Sequence, residues 1–141
     1  MAMKPKPGAL TEKVAQLRAQ GLAALGRGDV PAALASLKIV TALTPSDGGA
    51  QRGYAAALIR TNRHKEGVAI LKKLVETEPN DIELHCVIAE LLTTMLDHLT
   101  AKQHLERCLV LDPKGTNPHG VRARILIRRM QNQLEAQLGK K

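Results

Sequence analysis

The side chains best able to do chemistry in this sequence are five histidines, His64, His85, His98, His104 and His119, and two cysteines, Cys86 and Cys108. A histidine pair that grips a metal from one helix needs both rings on one face, three or four residues apart. His98 and His104 are six apart and miss that spacing. Glu83 and His85 are two apart and His85 and Cys86 are adjacent, so on a helix each pair points apart. There is no glycine-rich phosphate loop and no paired-carboxylate arrangement. The sequence therefore predicts no enzyme, no metal site and no cofactor. Both cysteines lie in apolar helical surroundings. A disulfide between neighbouring helices stays open on geometry, but two buried free thiols in a reducing cytosol suit the context better.

What positions these side chains follows from composition. A length of 141 residues fits one domain. The chain is 44% hydrophobic with a single aromatic residue, Tyr54, so the core must be built from Leu, Ile, Val and Ala, which suits closely packed helices. The net charge of +8 favours an acidic partner. That charge is polarised: residues 114–141 carry seven Lys/Arg against one acidic residue, whereas residues 82–113 carry two basic and five acidic ones. Met1 to Leu10 holds two lysines and two prolines without an apolar run, which fits neither a signal peptide nor a membrane span. With no long apolar segment elsewhere, the expected location is the cytoplasm.

Pro45, Pro79 and Pro113 recur at intervals of 34 residues, each after a hydrophobic helical stretch that it terminates. Ser46, Asn80 or Asp81 can cap the helix that follows. The intervals divide into helix pairs: Glu12 to Leu25 and Pro31 to Leu43, Asp47 to Ile59 and His64 to Glu76, Asp81 to Met95 and His98 to Leu111. Thr11 and Asp97 are expected caps, Asp29 or its neighbours begin the second helix, and Pro31 is tolerated in its first turn. Gly26, Gly28 and Asp29 make one tight turn and Thr61-Asn62 another. A last helix from Pro118 to Leu138, capped by Asn117, gathers Ala123, Leu126, Ile127, Met130, Leu134 and Leu138 on one side. Val121 and Ile125 lie off that stripe and are free to meet a partner or a second copy.

Small residues recur in the first helix of each pair, at Gly21, Ala55 and Ala89, and in the second, at Ala33, Gly67 and Ala101; Leu37, Leu71 and Leu105 follow four positions later. With the three prolines, this pattern resembles the tetratricopeptide repeat over about residues 14–115. It departs from that family in bulk. The aromatic position early in the first helix holds Leu17, Gln51 and His85, and a usually small position holds Val40, Leu74 and Cys108. The resemblance implies an all-α, superhelical stack of three antiparallel helix pairs (about 14–47, 48–81 and 82–115) plus a C-terminal capping helix. The domain would span 12–138, with a flexible tail at 1–11 and a basic end at 139–141.

The resemblance also implies a non-catalytic binding module or adaptor that holds a helical or extended segment of another protein in a concave groove. Carried over position by position, the groove residues are Arg18, Leu22 and Leu25, then Arg52, Ala56, Ile59 and Arg60, then Glu83, Cys86, Glu90 and Thr93. Such a trough suits apolar anchors with acidic groups. In length and plan the chain is also similar to the small three-repeat chaperones of bacterial type III secretion, although it lacks Trp and Phe. A separate basic patch of Arg122, Arg124, Arg128, Arg129, Lys140 and Lys141 can contact phosphates non-specifically, but with no aromatic to stack bases, nucleic acid ranks below a protein partner. Self-association is a further expectation, because the terminal helices need cover.

Overall fold

The computed structural model describes residues 8–139, and among them the chain is wholly helical: α1 (Ala9–Gly26), α2 (Val30–Leu43), α3 (Gly48–Arg60), α4 (His64–Thr77), α5 (Ile82–Thr94), α6 (His98–Leu111) and α7 (Pro118–Gly139). The helices form antiparallel pairs joined by short turns. By its packing the chain divides into two compact units, one through Leu74 and one from Val75 onward.

Aspartates start four of the helices. The carboxylates of Asp29, Asp47, Asp81 and Asp97 accept from the backbone N–H of Ala32, Ala50, Leu84 and Thr100 at 3.1–3.3 Å. Each satisfies an orphan donor and places negative charge at the positive end of the helix dipole. Ser46 and Asn80 do not cap; the aspartate that follows each of them does. Thr11 does not cap either. α1 begins at Ala9 behind Gly8, whose φ of 87° stops the helix, so residues 9–11 of the expected tail are its first turn. Nothing in Ala9-Leu10-Thr11 breaks a helix once it is started. Asn117 behaves as expected, its side chain accepting from His119 N–H at 2.9 Å with Pro118 opening α7.

The turn inside each pair is built the same way three times. Asp29, Arg63 and Asp97 donate backbone N–H to the carbonyls of Ala24, Leu58 and Leu92 at 2.8–2.9 Å. The preceding residue is left-handed in each case: Gly28 (φ 84°), Asn62 (φ 63°) and Leu96 (φ 65°). This six-to-one closure is the glycine-favoured helix ending, and leucine fits it worst of the three.

The expected structural positions are all buried: Gly21, Ala33, Leu37, Ala55, Gly67, Leu71, Ala89, Ala101 and Leu105, while Pro45, Pro79 and Pro113 sit exposed at the turns. Space explains the small residues. A Cβ at Gly21 would lie 2.7 Å from Leu37 Cγ, and one at Gly67 would lie 2.8 Å from Ile59 Cγ1 and 3.3 Å from the Ala55 carbonyl. Helices approaching this closely have no room for a methyl group.

In the first unit α1, α2 and α3 pack on one another around Ala24, Ala33, Leu37 and Ala57. In the second, α5, α6 and α7 do the same around Ala89, Leu105, Cys108 and Ala123. Thus α7 occupies the place that α3 takes in the first unit, and Ala123 extends the series Gly21, Ala55, Ala89 by a further 34 residues. The capping helix is the first helix of another repeat. At 22 residues against 14 for α6, it outruns its neighbour by roughly 12 Å. Consequently only the first part of its apolar stripe is covered. Ala123 and Leu126 are buried, whereas Leu134 and Leu138 are 57% and 70% exposed, contrary to the expectation of a continuous seal.

Candidate binding faces

In the first unit the expected groove residues come from α1 and α3. Leu22 and Leu25 lie half-buried over the core with Tyr54 beside them, and Ala56 and Ile59 are likewise half-buried. Gly53 lets α3 close on this row, since a Cβ there would lie 2.6 Å from Leu22 Cδ2. The arginines around it are committed to the scaffold. Arg18 donates from Nε and Nη2 to the Asp47 carboxylate at 2.7 and 3.3 Å, tying α1 to the cap of α3. That hydrogen bond holds the Asp47 carboxyl below its ordinary range, although burial pushes the other way. Arg60 donates to the Leu25 carbonyl at 2.9 Å, satisfying the negative end of α1. Arg52 is half-buried.

In the second unit Glu83 is exposed, and Glu90 accepts from Arg122 Nε of α7 at 2.8 Å. Thr93 turns its hydroxyl back to the Ala89 carbonyl at 2.8 Å. Cys86 corrects the groove assignment: at 3% exposure it belongs to the core with Cys108 and offers a ligand no surface. Its short side chain packs in the cluster with Ala89, Leu105 and Ala123. Both thiols are free. Burial, and then Glu90, push the Cys86 thiol up to about 11. Burial, and then Cys86, push Cys108 up to about 12. Thiols held this far from ionisation are poor nucleophiles.

The basic patch is also divided. Arg122 serves Glu90, and Arg124 reaches the other side of α7 to meet Asp112, with Nη1 3.4 Å from the carboxylate and Nη2 2.6 Å from the carbonyl. Arg128 and Arg129 are exposed, as are Val121 and Ile125; Lys140 and Lys141 lie outside the described residues.

Three features escaped the sequence reading. Asp112 is buried and organises the turn into α7, accepting from the N–H of Thr116 and Asn117 at 3.0 and 3.1 Å. Burial pushes its carboxyl up, but those donors and Arg124 outweigh this and hold it below its ordinary value. Second, His85, in the slot where the family carries an aromatic, places Nε2 2.7 Å from the Pro79 carbonyl and Nδ1 3.0 Å from His104 Nδ1. A carbonyl only accepts, so His85 Nε2 carries hydrogen, and in the neutral pair His104 donates to His85 Nδ1. The occupied aromatic slot was the available signal for a buried ring there. Third, a groove of about 420 Å³ lies between the start of α6 and the end of α7. Among the described residues no group of three or more His, Cys, Asp or Glu could hold a metal ion, and no helix is long and apolar enough to cross a membrane.

Comparison with known proteins follows this geometry. A family profile described as tetratricopeptide repeat matches residues 24–91. No curated protein sequence matches the chain. Among solved structures, the type III secretion translocator chaperone SycD of Yersinia enterocolitica superposes with a TM-score of 0.77 at 13% identity, covering 89% of this chain and 88% of that one. The first tetratricopeptide domain of Spaghetti (RPAP3), bound to the HSP90 peptide SRMEEVD, gives 0.73 at 17% identity, covering 88% and 94%. The MamA RS-1 ArsTM double mutant gives 0.68 at 22% identity over 74% of this chain, which spans only 58% of that one.

Proposed function

The chain carries a tetratricopeptide-repeat domain, and from that premise we propose that it holds a helical or extended segment of another protein, with no chemistry of its own. The observation that carries this reading is the half-exposed apolar row of Leu22, Leu25, Ala56 and Ile59 on α1 and α3, set among Arg18, Arg52 and Arg60. Half-exposed apolar side chains lose water when a partner's anchors settle on them. Arg60, held by the neutral Leu25 carbonyl and exposed, favours acidic groups beside those anchors. The peptide in the Spaghetti complex, SRMEEVD, has this mixed chemistry, with a methionine beside three acidic residues.

Within that reading, a narrower role is a cytoplasmic holding chaperone for a bacterial type III secretion component. The likeness to SycD supports it, and two buried reduced thiols suit a reducing compartment.

The test is affinity capture from the native host's lysate at about 0.15 M and about 0.5 M salt, which separates apolar from screened charge binding. An Ala56→Arg variant, whose long side chain can leave the core undisturbed and cover the row, is run alongside. A small set of proteins retained at both salts by the wild type, and bound at least about tenfold more weakly by the variant in calorimetry, is the expected result. Identical capture by the two proteins sinks the assignment of the row. Export substrates among the captured proteins support the narrower role.

A further inference from the structure

The imidazoles of His85 on α5 and His104 on α6 meet inside the second unit, away from the α1 and α3 row. His85 is buried and His104 half-buried. An apolar ring in the slot that His85 fills would need no polar partner; an imidazole brings a proton equilibrium with it. The ring centres are 5.3 Å apart, which is the 3.0 Å between the Nδ1 atoms plus one ring radius at each end. Both Nδ1 atoms therefore lie on the line joining the rings, and the bond between them is close to straight. This geometry limits how many hydrogens the pair holds. Of its four ring nitrogens, His85 Nε2 keeps a hydrogen for the Pro79 carbonyl at 2.7 Å, and the line between the Nδ1 atoms has room for one hydrogen only. With His104 Nε2 the bonded pair carries at most three, one more than the neutral pair. That first added proton makes the bond charge-assisted. A second would set two N–H groups of two cations head to head across 3.0 Å.

The charged and titratable groups around the pair do not lift this limit. On α5, Asp81 lies one turn before His85 with its carboxylate on the Leu84 N–H, and Glu83 is exposed, as is Glu78 in the turn before. On α6, Arg107 lies nearly one turn after His104 and donates to Asn80 at 2.8 Å, while Lys102 and Glu106 pair with each other at the surface. On α7, Arg122 and Arg124 are taken by Glu90 and Asp112, and His119 stands half-buried in the first turn. Burial keeps the thiols of Cys86 and Cys108 neutral. No other side chain fits into a gap of 3.0 Å between two nitrogens. We infer that the pair is an acid-sensitive latch between α5 and α6: it joins the helices while no more than one ring is charged and parts when both are. The less buried ring, His104, then turns to water. The unfolded chain charges both rings independently, so it binds more protons than the latched chain. Stability present above the ordinary imidazole range is therefore lost as pH falls through it. The loss ends once the bond has broken, and a neutral hydrogen bond of ordinary worth sets it at about tenfold in the unfolding constant.

Urea unfolding of the full chain at about pH 7.5 and about pH 5.5 tests this, in a window above the one where carboxylates titrate. Across it the wild type is expected to lose about tenfold more in unfolding constant than His104→Gln. The glutamine amide donates to His85 Nδ1 when that ring is neutral and, turned over, accepts from it when charged. His85→Phe should match His104→Gln, and His98→Gln, at an exposed ring, should match the wild type. Nitrogen-15 chemical shifts of the folded wild type should show one ring of the pair still neutral at a pH where His98 is fully charged. These shifts decide the question even where a variant fails to fold. A loss in the wild type no greater than in the pair variants overturns the proposal, as do two rings that charge together with His98 in the folded chain. None of these outcomes alters the test on Ala56, which reads a different surface.

Discussion

The two units solve one packing problem with different materials. The first is assembled almost wholly from Ala, Gly and Leu, and its ion pairs, Arg18 with Asp47 and Arg63 with Glu66 among them, lie near the surface. The second buries an imidazole, a carboxylate and two thiols, at His85, Asp112, Cys86 and Cys108. A buried polar group is tolerated only with its partners in place. The first unit should therefore respond to loss of volume, and the second additionally to loss of any one partner.

The test with the largest expected effect asks whether the cores are otherwise equal. Leu37 and Leu105 are fully buried at equivalent positions, and Leu→Ala at either should cost about 2–5 kcal/mol in chemical denaturation. A large difference between them would show that the units are not alike in packing. Next come two glycines. A Cβ at Gly120 would collide with the carboxylate of Asp112, which is fixed by the turn into α7, so Gly120→Ala should cost about 1–3 kcal/mol. A Cβ at Gly53 meets mainly the end of the Leu22 side chain, which can swing away, and Gly53→Ala should be near neutral by the same measurement.

His104→Ala should cost about 1–3 kcal/mol by stranding His85 Nδ1, while the double change of both histidines to Leu should cost less than the sum of the two singles. Smaller still is the effect at the turns. Leu96→Asn should raise stability by about 1 kcal/mol, read as a higher melting temperature, and Asn62→Leu should lower it by a similar amount. Equal and opposite shifts would show that the turns differ only in this residue.

The last test concerns acid. The folded carboxyls of Asp47 and Asp112 are both held below their ordinary values. The unfolded chain therefore takes up these protons first, and the stabilisation, present above the unfolded value, is lost as pH falls through the folded one. Asp47→Asn should flatten the acid limb of the stability curve in the first unit and Asp112→Asn in the second, as followed by helicity between about pH 2 and pH 6.

Prolines at a fixed interval and aspartates placed before helices made the helix pairs legible, because both act through local backbone geometry. The His85–His104 bond was not legible. Its partners are 19 residues apart on different helices, and sequence periodicity gives each helix its own face but not the rotation of one against the next. The same limit explains why Cys86 read as a groove residue: one turn of a helix carries both the groove edge at Glu90 and the core at Ala89. The exposed end of α7 was hidden for another reason. A helical wheel projects along the axis and discards length, so it cannot tell that α6 ends first.

The placement of the two thiols gives the molecule an internal stopwatch. Cys86 and Cys108 are the whole cysteine content, and both lie in the core of the second unit. A neutral alkylating reagent will react with them only when that unit opens, while the first unit stays silent. The labelling rate at rising reagent concentration thus times the opening of one half of the chain, with no engineered probe.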